Sequence, residues 1–368
     1  MPHSLREKLR RHHAIHVEPI HALDQPRSGD NPHRCPAALL PGTALAAKVL
    51  RYSDHEPLGG MRTRFIKDVF FAAIEKESNG RLKIEDHWNA ELSSGYDALR
   101  TVGKGEAADL AIVVPEYMAE NLPLHQIFKS FPVGPAGAQQ VSFFRRVYAE
   151  IPEFSNELAA NNAVPVFLAT GYPVAFYGTQ PLATLADIKG QKWRSASFWH
   201  LDFLKNAGAV PVTMHWGEEV YKALAARTLD GLMVNVDSGY LLKVHETAPN
   251  VLLSRRLWLG HLYLLTMNRA TWEGLEPEDK AAVQRAAETA YATLGTVMDR
   301  SHDAMVDGLK RAGANVRQLS DDEVEAWTAT TRAGEVQSAW VDKQEAKGVK
   351  EAGVVLRKVQ AIMNDEVR

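Results

Sequence analysis

Arg194 closes the run Lys192-Trp193-Arg194, which reads as a short strand that delivers the guanidinium to its C-terminal end. A planar guanidinium can grip a carboxylate through two parallel hydrogen bonds, which a lysine cannot reproduce. On residue type alone, an internal salt bridge is an equal reading. Other chemistry-bearing side chains fall on loops that follow predicted strands: His55 and Glu56 after 49–53, Trp88 after the Leu82/Ile84 alternation, and Glu116 with Tyr117 after 110–114. Each is a candidate to touch a ligand, the alternative being a solvated loop. Asn235 stands at the end of the run 231–236, with Asp237 next to it. Phe176, Phe198, Trp199 and Tyr240 could line a pocket, although aromatics at these spacings usually serve a core.

None of these residues forms a catalytic signature. The chain has no Gly-x-Ser-x-Gly elbow, no His-Glu-x-x-His and no Gly-x-x-x-x-Gly-Lys-Ser/Thr loop, and Gly134-Pro135-Ala136-Gly137 is too short for a dinucleotide fingerprint. No Cys/His pair has zinc-ligand spacing. The expectation is a binding protein with no catalytic residue, no metal site and no cofactor.

The elements that must position these side chains alternate. Helical spacing from Met61 through Phe65, Ile66, Val69, Phe70, Ala73 and Ile74 stops at Asn79-Gly80. Tyr96, Leu99 and Val102 mark a helix, and 110–114 a buried strand. In the second half, 164–170, 174–177, 192–194, 210–214 and 231–236 read as strands. Helices fall between them at 185–188, from Leu201 to Gly208 and at 218–226. Such alternation predicts an α/β architecture with largely parallel sheets, where ligands collect at the carboxyl ends of the strands. Pro277, followed by Glu278 and Asp279, opens one helix of more than thirty residues before Gly313, with Ala and Ser on its seam. Such a helix is expected to pack along two lobes. Ser320-Asp321-Asp322-Glu323 is a capping box for the final helices.

Of the 368 residues, 45% are hydrophobic and 24% charged, with 42 Lys plus Arg against 45 Asp plus Glu. That length predicts two lobes, and a formal charge of −3 argues against a nucleic-acid partner. No apolar run is long enough to span a membrane. The start of the chain is different. Residues 1–46 hold six of the fourteen histidines and the single cysteine, Cys35. They end in a short apolar run after basic residues, closed by Ala44-Leu45-Ala46, the shape of a secretory leader with an over-long lead-in. Cleavage there would leave 36 basic and 41 acidic residues and no cysteine, at home in an oxidising periplasm.

Several strings occur in an order that resembles the DctP-type solute-binding proteins of tripartite ATP-independent periplasmic (TRAP) transporters. They are the turn Ser78-Asn79-Gly80-Arg81; Gly105-Glu106-Ala107-Ala108-Asp109-Leu110; Leu185-Ala186-Asp187-Ile188-Lys189-Gly190-Gln191-Lys192-Trp193-Arg194; Gly208-Ala209-Val210-Pro211-Val212; Leu229-Asp230-Gly231; and Trp272 with Leu275 before Pro277. The resemblance runs from Lys48 to the C-terminus.

It implies a two-lobed, type II-like periplasmic-binding-protein fold with crossover strands and a long helix spanning both lobes. The lobes are expected at 47–171 plus 260–299 and at 172–259 plus 300–368. It also implies periplasmic capture of a small organic acid and delivery to TRAP membrane permease subunits. By position, Arg194 takes the role of the family's carboxylate-pairing arginine and Trp216 that of an aromatic on the ligand. Asn235 lies one residue beyond the family's usual ligand-binding asparagine, so Asn235 and Asp237 both stay open. Gly171-Tyr172-Pro173 has proline where many members carry a second arginine, which favours a compact or aromatic monocarboxylate over a sugar acid. A small cationic amine, with Asp237 or Glu116 as counter-ion, remains open, as does a ligand-sensing role for a signalling partner.

Overall fold

The computed structural model describes residues 46–367; apart from Ala46, the leader expected over 1–46, with Cys35, lies outside them. Eleven strands build two mixed sheets among the described residues. The first contains β1 (Lys48–Ser53), β2 (Leu82–His87), β3 (Leu110–Val113), β4 (Ala163–Thr170) and, much later in the chain, β10 (Leu262–Asn268), in the order β2-β1-β3-β10-β4. The second contains β5 (Val174–Gly178), β6 (Lys192–Arg194), β7 (Val210–Val212), β8 (Gly231–Asn235), β9 (Asn250–Leu253) and β11 (Asn315–Gln318), in the order β11-β9-β5-β8-β6-β7.

The largely parallel expectation holds for β1 with β2 and β3, for β6 with β7 and β8, and for β9 with β11. It fails at β10 and β5, each antiparallel to both neighbours. These two strands begin where the chain has just crossed from one sheet to the other, so they enter against the local direction. The crossings are short. Only Gly171-Tyr172-Pro173 separates β4 from β5, and residues 254–261 lead from β9 back to β10. They pair with each other through Gly171 N–H to the His261 carbonyl at 3.0 Å and Val174 N–H to the Leu257 carbonyl at 3.2 Å.

The first predicted helix forms as Met61–Phe65, Ile66–Phe71 and Ala72–Glu77, the middle segment wound as a π-helix. The expected 185–188 helix is a single 3₁₀ turn, capped reciprocally by Thr184 and Asp187. Helices Gly137–Glu150 and Pro152–Ala160, and strands β9, β10 and β11, were not anticipated. The β10 run Leu262–Asn268 is buried throughout, so it lacks the alternation by which a half-exposed strand announces itself.

The long helix spans Pro277–Arg311, 35 residues or about 50 Å. It packs on the Ala72–Glu77 and Gly137–Glu150 helices of the first sheet and, further along, on Val236–Leu241 and β11 of the second. Close approach depends on Gly295, where an added Cβ would come within 2.5 Å of the Ala138 backbone. The capping box reads as expected, with Glu323 N–H donating to Ser320 Oγ at 3.3 Å and Ser320 N–H to Glu323 Oε2 at 2.8 Å. The last helix, Ala352–Glu366, returns to the first sheet's side, where Glu366 accepts from Ser142 (3.0 Å) and Arg146 (3.1 Å).

Candidate functional site

The carboxyl ends of β1, β3, β6, β7 and β8 converge on one cavity. Its wall includes Glu56, Glu116 and Tyr117 from the first sheet's loops, and Arg194 to Ser197, Trp216, Asn235 and Ser238 from the second. Leu259 and His261 come from the returning crossover, and Tyr263 from the start of β10. Because β10 runs against β3, its beginning lies at the carboxyl end of β3, and so it also faces the cavity.

Arg194 is 1% exposed. Its Nε and Nη2 donate to the Met214 carbonyl at 3.0 and 2.7 Å, and its guanidinium carbon sits 5.4 Å from the Trp216 ring centre. One edge of the fork is thereby fixed to the backbone that follows β7. The Nη1/Nη2 edge keeps its donors for a second partner. Burial lowers the guanidinium's pKa and Glu116 partly offsets this, but no carboxylate among the described residues lies within salt-bridge distance of Arg194. A buried, hydrogen-bonded guanidinium with no counter-ion can take an anion as its partner, since an isolated buried charge is expensive to keep.

Glu116 is differently placed. Its Oε2 lies 2.5 Å from Lys129 Nζ, and both side chains are less than a tenth exposed. Burial pushes its carboxyl up, but Lys129 and then His261 outweigh that and hold it at about 2. His261 stacks on Tyr263, with ring centres 4.4 Å apart. Burial and then Lys129 bring its pKa down to about 3, so the ring is neutral.

Behind Glu56 lies a buried network. Arg62 donates to both oxygens of Asp54, at 2.7 and 3.0 Å, and to Glu56 at 2.7 Å, while Tyr52 donates to Asp54 at 2.6 Å. Burial alone would raise Asp54; Arg62 outweighs it and holds the carboxyl below its ordinary value. The Arg62 guanidinium also lies 4.4 Å from the Tyr263 ring centre, so the network braces that wall. At the mouth, Tyr96 stacks on Tyr117 at 4.4 Å and its hydroxyl meets His215 Nδ1 from the other side at 3.2 Å.

Of the thirteen residues singled out in the sequence, six line the cavity together: Arg194, Trp216, Asn235, Glu56, Glu116 and Tyr117. His55 stands just behind Tyr117, edge-on at 6.0 Å. The other six face elsewhere. Trp88 donates to Asp86 and packs on Tyr52. Phe176 is fully buried against Trp327, in the second sheet's core. Tyr240 packs on His245 and crowds Gly308 of the long helix. Asp237 is turned back to accept from Asn235, and burial, with Glu56 adding to it, raises its carboxyl to about 7. Among the other aromatics, Trp199 is buried, its indole donating to the Gln126 carbonyl at 2.8 Å, and Phe198 borders an outer groove.

Lys129, His261 and Tyr263 were missed. Lys129 had a signal: a lone cation inside the apolar stretch 122–133 must be paired or functional when buried. His261 had less, because its placement depends on β10 running antiparallel.

Two mixed sheets joined by paired crossovers, a shared long helix and a cavity between facing strand ends define a two-lobed protein built to enclose a small molecule. The profile of the bacterial extracellular solute-binding protein family 7, DctP, matches residues 64–338, and the chain belongs to that family of TRAP solute-binding proteins. The ectoine-binding periplasmic protein TeaA of Halomonas elongata is 26% identical over 328 residues, 84% of this chain and 90% of TeaA. A TRAP solute-binding protein of Rhodoferax ferrireducens, solved with copurified benzoate, superposes with a TM-score of 0.75 at 19% identity over 87% of this chain and 99% of that one. DctP6 of Bordetella pertussis, an extracytoplasmic receptor binding pyroglutamic acid, gives 0.70 at 19% over 84% and 100%. At these identities the structural likeness is one of fold.

Proposed function

We propose that this solute-binding protein works in the periplasm as the carrier for a compact monocarboxylate, which it hands to the permease subunits of a TRAP transporter. The observation that carries the reading is Arg194, buried and charged in the cavity wall with one edge of its fork unspent and no carboxylate beside it. Trp216 and Asn235 flank it from the same half, and Tyr117 with Tyr263 wall the other. A relative solved with copurified benzoate, one that binds pyroglutamic acid and one that binds ectoine support a small ring-bearing acid.

The expected bounds, 47–171 plus 260–299 and 172–259 plus 300–368, give the moving bodies in this reading, except that Ala352–Glu366 packs on Gly137–Glu150 and so moves with the first. A cationic amine draws no support, because Glu116 is already neutralised by Lys129 and Asp237 faces Asn235 rather than the cavity. A sensing role draws none either. Binding without chemistry is favoured by Ser195 and His200, a Ser/His pair whose hydroxyl residue lies in the cavity wall. Ser195 Oγ lies 3.3 Å from His200 Nδ1, but burial, then Lys129, lowers that imidazole to about 3, too weak for a general base at neutral pH.

A thermal-shift screen of small acids and amines tests the assignment. A ligand at 100 times its Kd stabilises by about 2.7 kcal/mol, so compact monocarboxylates are expected to raise Tm by several degrees. A rise with amines alone would contradict it.

A further inference from the structure

Arg194 accounts for one end of a ligand. The Glu116, Lys129 and His261 cluster on the same cavity wall is left without a task, and its hydrogen bonding is incomplete. Both ring nitrogens of His261 are buried and have no partner among the described residues; Nε2 stands 3.8 Å from Glu116 Oε1, beyond hydrogen-bonding reach. Ser197 Oγ, also in the wall, is buried and unpartnered. Glu116 is an acceptor only, Lys129 a donor only, and a neutral imidazole is one of each.

His261 is not loosely placed. Its carbonyl accepts from Gly171 across the paired crossovers, its ring is stacked on Tyr263, and the chain reaches it through Gly260 at φ +66°, where a Cβ would come within 2.0 Å of the Phe128 carbonyl oxygen. Such a fixed ring with two unused nitrogens is a recognition element waiting for a complement.

Resting on the carboxylate reading above, we propose that the Glu116, Lys129 and His261 cluster is a second recognition subsite, which reads an uncharged donor-acceptor group on the ligand. The solute is then a compact monocarboxylate that also bears a lactam or hydroxyl group. A plain aromatic or aliphatic acid would leave the buried His261 nitrogens and Ser197 hydroxyl with nothing to bond, and unmade buried hydrogen bonds are costly. Sites built to bond a polar group reject analogues that lack it more strongly than apolar pockets reject a misfit. A dicarboxylate is disfavoured as well, because its second charge would face Glu116, while Lys129 is already engaged.

The test is calorimetric titration with two pairs of probes that differ in that group: pyroglutamate against cyclopentanecarboxylate, and mandelate against phenylacetate, with succinate as the dicarboxylate. The wild-type protein is expected to bind the polar member of at least one pair about tenfold or more tightly than its partner, the equivalent of about 1.4 kcal/mol, and to bind succinate more weakly than either polar member. His261→Phe keeps the stacked ring and removes both nitrogens. It should bring that ratio to within about threefold by weakening the polar probe alone, with Tm unchanged or raised. A merely structural histidine would lower Tm and leave the ratio intact, which overturns the proposal. So does a wild-type preference of less than about threefold in both pairs, or for succinate. If the nonpolar acids bind well and lose affinity in Arg194→Ala, the carboxylate reading survives and only this inference falls. If no acid binds, both fall.

Discussion

A guanidinium, an imidazole and a carboxyl group at three depths show how burial decides what each residue can do. Arg194 was legible because its chemistry matches its place at a strand end; that its Nε edge is spent on the Met214 carbonyl was not, since the backbone after β7 had to be seen. Trp216, Asn235, Glu56 and Glu116 were legible for the same positional reason. Trp88, Phe176 and Tyr240 were misjudged because an aromatic after a strand serves a core or a cavity wall with no difference in local pattern. Asp237 carries a pH prediction. Its folded pKa of about 7 lies above the ordinary carboxylate value, so the folded state holds a proton that the unfolded state has released across roughly pH 4 to 7. Stability is therefore fully present below that window and falls as pH rises through it. Asp237→Asn is expected to match the wild-type Tm near pH 4 and exceed it by a few degrees at pH 8. A mutant less stable than wild type at pH 8 would contradict the assignment.

At the level of elements, the β–α alternation from 48 to 113 and from 174 to 235 was readable because β3, β5 and β8 are short, largely apolar runs and because Leu82 and Ile84 alternate with charged residues in β2. What escaped were elements whose reason is non-local: β10, buried on both faces, and Gly137–Glu150, which owes its place to the long helix and the last helix packed on it. The exit loop of β1 holds its shape through Arg62, which ties Asp54 and Glu56 together beneath Tyr263. Removing one member of such a buried pair leaves the other uncompensated, at a cost of about 3–5 kcal/mol. Arg62→Met is expected to lose that much in urea unfolding and to weaken ligand binding through the displaced wall. A loss below about 1 kcal/mol would show the network to be dispensable. The mouth is held more lightly. Tyr96→Phe removes only the hydroxyl that meets His215 and keeps the stack on Tyr117, so it should speed ligand release by severalfold with little change in Tm. An unchanged off-rate would remove Tyr96 from the closing contact.

For the whole molecule, the sheets are connected by paired crossovers and by one helix that rides along both, an arrangement suited to hinge motion about a cavity. No helix among the described residues is long and apolar enough to cross a membrane. Closure on a ligand should contract the scattering profile, and identical profiles with and without a bound acid would count against lobe movement. In the proposed carrier, capture depends on Arg194 gripping a carboxylate. Titrating wild type and Arg194→Ala side by side with the tightest acid from the thermal screen measures that dependence. Truncating one partner of a desolvated charged pair costs about 2–5 kcal/mol, so a loss in affinity of at least about tenfold is expected, with the fold retained by circular dichroism. An affinity unchanged in a folded Arg194→Ala protein would contradict the account.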